Sequence, residues 1–237
     1  MPDSLFYYFY GFDYTYFIYI LPAVILSLIA QLLVKSSFSK YSAVINRKGL
    51  TGAEAARRVL MSHGVQGVSV ERVSGNLTDH YDPKARVIRL SDAVYDSASV
   101  AAVGVASHEA GHAVQHAVGY APIKIRNTIY PVVSFGSSIS WIVIMLGFLF
   151  SFEPLTLAGI ILFSFTVVFQ LVTLPVEFNA SRRAMETIES ESLLADAKEI
   201  GGARRVLTAA ALTYVAAAIT SIMQLIRLLA IFGRRRD

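Results

Sequence analysis

Four long apolar runs dominate the chain: Tyr14 to Val34, Pro131 to Phe152, Leu155 to Val176 and Val206 to Gly233. Each approaches or exceeds the ~20 residues that an α-helix needs to cross about 30 Å of hydrocarbon. No Lys or Arg precedes the first run, and Lys35 follows at once. That polarity is opposite to a cleaved secretory signal, so the run reads as a retained anchor. The aromatic residues Phe6 to Phe12, with Tyr14, Tyr16 and Phe17, suit an interfacial belt on the outer side. Little more than Glu153 and Pro154 separates the second run from the third, which forces an antiparallel hairpin. Lys124 and Arg126 flank one end of that hairpin, Arg182 and Arg183 flank the other, and its tip carries no base. The positive-inside rule therefore assigns 35–130 and 177–205 to the cytoplasm.

The fourth run is less regular. It contains Gln224 and Arg227, is rich in Ala and Thr, and ends on Arg234, Arg235 and Arg236, which simple alternation would put outside. It reads as a membrane-associated helix, with full crossing and partial packing on the polar region both open. The basic tail is either solvated or in contact with anionic head groups.

The interval 35–130 is patterned differently. Thr51-Gly-Ala-Glu54 has the form of a capping box opening a helix through Ser62, with Gly64 ending it. Val68 to Val73 and Ala85 to Leu90 alternate as strands do, the second after an Asp82-Pro83 turn signal. Asp96 or Ser97 then caps a helix running to Val118, closed by Gly119 and Pro122. A compact α+β region is the expectation here.

Composition agrees with the pattern. Apolar residues make up 54% of the chain and charged residues 16%, outside the balance of ordinary soluble domains. The net charge of +4 is carried beside apolar runs. It reports orientation in a bilayer and gives no reason to expect a nucleic-acid partner; membrane lipid is the expected one. With no cysteine, disulfides and thiolate chemistry are excluded, and a metal would have to be held by His and carboxylate.

The last predicted helix of that region contains His108-Glu109-Ala110-Gly111-His112. Histidines at i and i+4 share one helical face, so both rings can reach one zinc ion. Glu109, between them, is positioned to take a proton from a metal-activated water and hand it to the leaving amine. A catalytic zinc needs a third protein ligand and one open position. His116 continues the stripe, but from His108 the helix advances about 12 Å at 1.5 Å per residue, against zinc–nitrogen bonds of about 2 Å. No glycine or proline lies between His112 and His116 to break the helix, so His116 reads as an outer or structural histidine. Glu177, where the third run ends, is the better candidate; simple pairing with Arg182 or Arg183 is its alternative.

Taken together, these residues resemble the YugP-like neutral membrane zinc metallopeptidases. The resemblance rests on Asp79-His80-Tyr81-Asp82-Pro83, the strand Val87 to Ser91, the HEAGHAVQ helix, the hairpin, and Leu174-Pro175-Val176-Glu177-Phe178 through Ala184. The order of parts also looks like that of the HtpX and CAAX-prenyl protease group, where an HExxH helix and a membrane hairpin are followed by the Glu of an ExxAD pattern. The resemblance implies His108, His112 and Glu177 as Zn2+ ligands, Glu109 as base, and peptide hydrolysis. Ser181 departs from it by standing where that pattern has Asp, so another group must orient the ligand histidine.

The fold class expected is therefore integral membrane α-helical with a small α+β zincin-like catalytic domain. Its order is an anchor region at 1–34, a cytoplasmic catalytic region at 35–130 and a transmembrane hairpin at 131–176. A cytoplasmic helix carrying the third ligand follows at 177–205, and a membrane-associated helix with a basic tail at 206–237. The function expected is a multi-pass cell-membrane endopeptidase acting at the cytoplasmic interface on protein or peptide substrates, membrane proteins among them, with membrane-protein quality control as one role. Val87, Ile88, Arg89 and Leu90 are candidates for a strand that holds substrate by edge pairing, or for a plain structural strand. His80 and Asp82 read as turn and hydrogen-bonding residues. Arg182, Arg183, Tyr81 and Tyr214 are unranked candidates for stabilising an oxyanion. The alternative from another class is a non-catalytic membrane scaffold with a structural metal site. A transporter is disfavoured by the near absence of ionisable residues in the apolar runs.

Overall fold

A computed structural model of the chain describes residues 15–234. Most of the aromatic belt, Phe6 to Phe12 and Tyr14, lies outside the described residues, as do Arg235 and Arg236. The elements in order are α1 (Tyr16–Ser42, opening on a π-helical turn), α2 (Gly52–Ser62), β1 (Ser69–Val73), β2 (His80–Asp82), β3 (Val87–Ser91), α3 (Asp92–Tyr95), α4 (Val100–Ala117), α5 (Ala121–Leu149), α6 (Glu153–Ser190) and α7 (Ala197–Arg234). The chain forms two compact units: one from residues up to 29, 129–171 and from 216 onward, the other from 30–128 and 172–215.

In the first unit the apolar segments of α1, α5, α6 and α7 run together. All four helices are long and apolar enough to cross a membrane, and only 17% to 28% of each apolar window is buried within the protein. Large side chains such as Val132, Phe135 and Met145 are exposed. Packing between the helices uses small residues and hydroxyls. A side chain at Gly147 would collide with Thr156, and one at Gly159 with Ile144, so α5 and α6 are in close contact near the hairpin tip. The hydroxyl of Ser27 is 3.1 Å from that of Thr220, which ties α1 to α7. Ile144, Ile160, Phe163, Val167, Leu228 and Phe232 form the buried cluster. The irregular fourth run is thus the greater part of one continuous helix, with Arg227 stacked 5.6 Å over the Tyr16 ring. Pro131 and Pro175 are both accommodated inside helices.

The second unit holds the α+β region. Thr51 caps α2 with both halves of the capping box in place: its hydroxyl accepts from the Glu54 amide, and Glu54 accepts from the Thr51 amide. Burial is not needed for this, since the box satisfies backbone donors locally. The sheet has the order β1-β3-β2, with β1 parallel and β2 antiparallel to β3. This corrects the reading of Val87, Ile88, Arg89 and Leu90 as an edge open to substrate. β3 is the central strand, and a strand paired on both sides has no free backbone edge to offer. Val87, Ile88 and Leu90 are also almost fully buried. The error came from β2, too short to show alternation and read from sequence as part of a turn.

The metal-motif helix is also shorter than expected at its start. α3 intervenes, and α4 is capped by Ser99, whose hydroxyl accepts from the Ala102 amide, while Ser97 hydrogen-bonds to the Ser99 hydroxyl. α4 is buried along most of its length and lined with small residues, Ala102, Ala106, Ala110 and Ala113 among them. At Gly111 an added Cβ would stand 2.7 Å from the carbonyl oxygen of Ala180. Backbone therefore meets backbone where α4 crosses α6, and that contact decides which residues of the two helices face each other. Gly111→Ala is expected to destabilise the protein by about 1–3 kcal/mol through forced displacement of α6, read as a lower thermal midpoint of the detergent-purified protein.

Candidate metal centre

The crossing at Gly111 and Ala180 aligns two stripes of side chains. From α4 come His108 and His112, one turn apart, with ring centroids 4.7 Å apart at 81°. From α6 comes Glu177, one turn before Ala180 and 2% exposed. Its Oε2 is 3.3 Å from His108 Nε2 and 3.5 Å from His112 Nε2. The three ligand-type atoms lie within 4.8 Å of one another.

Each outer ring nitrogen has a partner. His108 Nδ1 is 3.1 Å from the Ser181 hydroxyl, and His112 Nδ1 is 3.1 Å from Gln115 Oε1. Gln115 Oε1 can only accept, so His112 carries its proton on Nδ1 and turns the lone pair of Nε2 toward Glu177. Gln115 is fixed in turn: its amide nitrogen donates to the Val176 carbonyl at 2.7 Å and to Asn179 Oδ1 at 3.0 Å. Arg183 donates to the same Asn179 oxygen at 2.8 Å. Ser181, whose identity departs from the ExxAD pattern, is itself the group that meets His108.

Among the described residues Glu177 Oε2 is a buried oxygen with no hydrogen-bond partner, an arrangement that costs about 1–3 kcal/mol or more when nothing compensates it. Ligand atoms on a tetrahedral ion with bonds of about 2.0–2.1 Å stand about 3.3–3.4 Å apart, close to the two His–Glu separations. The donor set, two neutral imidazoles and one carboxylate, is the combination found at open catalytic zinc sites. Burial of the His112 imidazole would lower its pKa, yet the negative charges of Glu177 and Glu109 outweigh it and hold the pKa above the ordinary value. The negative field responsible would also favour a dication. These residues fit a zinc ion.

The remaining sequence candidates are distributed around this cluster. Glu109, half-buried, follows His108 on the open side of α4. His116 is absent from the cluster, and its Nδ1 is 3.3 Å from the Tyr81 hydroxyl. Arg182 points away and pairs with Glu186 at 3.8 Å. Tyr214, on α7, lies near enough to Glu177 and Glu109 to feel the charge of both. His80 bonds the Thr78 carbonyl, while Asp82 accepts from the Lys84 and Ala85 amides and pairs with Arg89. Beside Ser181 a cavity of ≈ 460 Å³ opens between α6 and α7, with Phe178, Met185, Leu207 and Ala211 in its lining.

Sequence reading missed Gln115, Asn179 and Arg126 as parts of the site. Arg126 Nη1 is 3.5 Å from Glu177 Oε1. It also missed Asp79, whose oxygens accept from the Ser91 amide at 2.7 Å and the Ser91 hydroxyl at 3.0 Å. Burial, helped by the charge of Glu109, pushes the Asp79 carboxyl above its ordinary pKa. Only Gln115 had a local signal, since it sits three residues after His112 on the same helical face.

A family profile described as "Putative neutral zinc metallopeptidase" matches residues 16–233. The chain belongs to this zinc metallopeptidase family. A relative from Bacillus subtilis (strain 168), named "Putative membrane protease YugP", is 51% identical over 212 residues, covering 90% of this chain and 94% of the relative. No solved structure matches. The four apolar helices and the His108, His112 and Glu177 cluster are thus features of a membrane member of the zinc metallopeptidase family.

Proposed function

We propose that the protein is a membrane-embedded, zinc-dependent endopeptidase that hydrolyses peptide bonds at the cytoplasmic face of the cell membrane. The observation that carries this reading is the convergence of His108 Nε2, His112 Nε2 and an otherwise unpartnered Glu177 Oε2, with Glu109 beside them. His108, His112 and Glu177 are the residues that would hold zinc. When bound there, zinc supplies a Lewis acid that lowers the pKa of water and polarises the scissile carbonyl.

The chain's own residues account for the rest. Glu109 accepts the proton of the attacking water and delivers it to the leaving nitrogen, the general-base then general-acid role. Gln115 and Ser181 orient the imidazoles through their outer nitrogens. Of the four candidates for the oxyanion, Tyr81 is engaged by His116, Arg182 by Glu186 and Arg183 by Asn179. Tyr214, the one of the four placed near both Glu177 and Glu109, is the donor that we assign to the substrate oxygen. Asp79 keeps β2 fastened to the start of α3, which supports the wall beside Glu109.

Glu177 follows directly on the apolar run that ends at Val176, and Arg126, Arg182 and Arg183 lie near the same helix ends. By the positive-inside rule those ends are cytoplasmic, so the bond cleaved belongs to a membrane protein or a juxtamembrane peptide. This is the substrate chemistry of membrane-protein quality control. The cavity beside Ser181, where apolar Phe178, Met185 and Leu207 stand among charged Arg182, Glu186, Glu189 and Arg204, is a candidate place for a side chain of such a peptide.

Metal removal tests the reading. Purified protein in detergent is expected to hold one zinc per chain and to cleave an unfolded protein substrate such as casein. A chelator should abolish the cleavage, and stoichiometric zinc should restore it. Full activity in metal-free protein would sink the proposal.

A further inference from the structure

The geometry points to Arg126 as the positioning residue that decides which oxygen of Glu177 is presented to a cation, an inference that rests on the metal-site reading above. A buried carboxylate has two equivalent oxygens and can turn either one, or both, toward an ion. Here the two are treated differently. Oε1 faces the Arg126 guanidinium at 3.5 Å, and Oε2 faces the two imidazoles. With Oε1 occupied, the group offers a single oxygen and cannot swing into a bidentate pose.

The chain brings Arg126 there by construction. Gly119 adopts a left-handed φ of 68°, which ends α4 and redirects the chain. α5 then starts against α6, where the Tyr120 hydroxyl donates to the Pro175 carbonyl at 3.4 Å, two residues before Glu177. Arg126 lies little more than one turn into α5 and reaches the carboxylate at the oxygen that the histidines do not meet. Other bases nearby are committed elsewhere: Arg183 to Asn179 and Arg182 to Glu186. Among the described residues Arg126 is the Lys or Arg side chain that forms an ion pair with Glu177.

A cation near a metal site has two opposing effects. It repels a dication, which weakens binding, and it fixes the ligand, which strengthens it. Outer partners of metal ligands are typically worth about 10–100-fold in affinity. The Arg126 side chain is 31% exposed, so solvent screens its charge. The fixing effect is therefore expected to win.

The test uses full-length protein in detergent, stripped of metal and titrated with zinc against a chromophoric chelator. Arg126→Gln should bind zinc about 10–100-fold more weakly, with Arg126→Lys between it and wild type and Lys124→Gln equal to wild type. Loaded with cobalt in place of zinc, Arg126→Gln should show an altered visible spectrum, a change in coordination that a general loss of stability does not produce. The metal-free melting of Arg126→Gln serves as the folding control. Unchanged or tighter zinc binding in a folded Arg126→Gln, with an unchanged cobalt spectrum, overturns the positioning role and leaves the metal site intact. Wild type that binds no zinc, or Glu177→Ala that binds it normally, removes the metal site and the positioning role together.

Discussion

Glu109→Gln is expected to bind zinc as the wild type does and to lose ~10²–10⁴-fold in kcat, the range that a positioned acid–base group supplies. The substitution keeps the shape of the side chain and removes its ability to accept a proton. Glu109 is half-buried and forms no ion pair among the described residues, so its loss leaves no buried partner stranded and folding should be unaffected. Zinc stoichiometry, thermal melting and hydrolysis of an unfolded protein substrate, measured on the same preparation, separate these effects. The expected pattern is full metal, wild-type melting and no turnover. A scaffold with a structural metal site gives the opposite result: Glu109→Gln keeps its cellular role, while His108→Ala fails to fold. Wild-type turnover by Glu109→Gln would remove the catalytic assignment, whatever the metal content.

Much of the architecture was legible because its determinants are local. Hydrocarbon thickness sets the length of an apolar run, and a two-residue break sets a hairpin. The capping box at Thr51 and Glu54 is read three residues apart. His108 and His112 are one helical turn apart, so sequence spacing alone aligns them. What was not legible depended on tertiary contact. Strand order could not be read from alternation, because β2 is three residues long and its pairing with β3 is decided across the turn at Asp82-Pro83. That single pairing moved β3 from an edge to the centre. Arg126 was read locally, as a base flanking the hairpin, and this concealed its approach to Glu177. Ser181 looked like a missing part until the α4–α6 crossing brought its hydroxyl to His108. Gly111 makes room for a close approach, but the partner, Ala180, lies across the hairpin and is not apparent from the motif.

The second large effect concerns the third ligand. Glu177→Gln and Glu177→Ala are each expected to weaken zinc binding by more than ~100-fold, since even partners one shell further out are worth about 10–100-fold. Both should be catalytically silent at ordinary zinc concentrations. Glu177→Gln keeps the volume of a side chain that is 2% exposed, so its metal loss cannot be assigned to a cavity. It also removes the negative charge opposite Arg126, where a stranded arginine would cost little because it is partly solvated. His116→Ala is the contrasting variant. It removes a partner of Tyr81 and no atom of the cluster, so zinc should be retained in full. Metal analysis of the three proteins side by side decides between the two candidates for the third ligand. Zinc lost from His116→Ala and kept in both Glu177 variants would require the metal to sit one turn further along α4. The pair holding it would then be His112 and His116, again one helical turn apart, with His108 left outside the site.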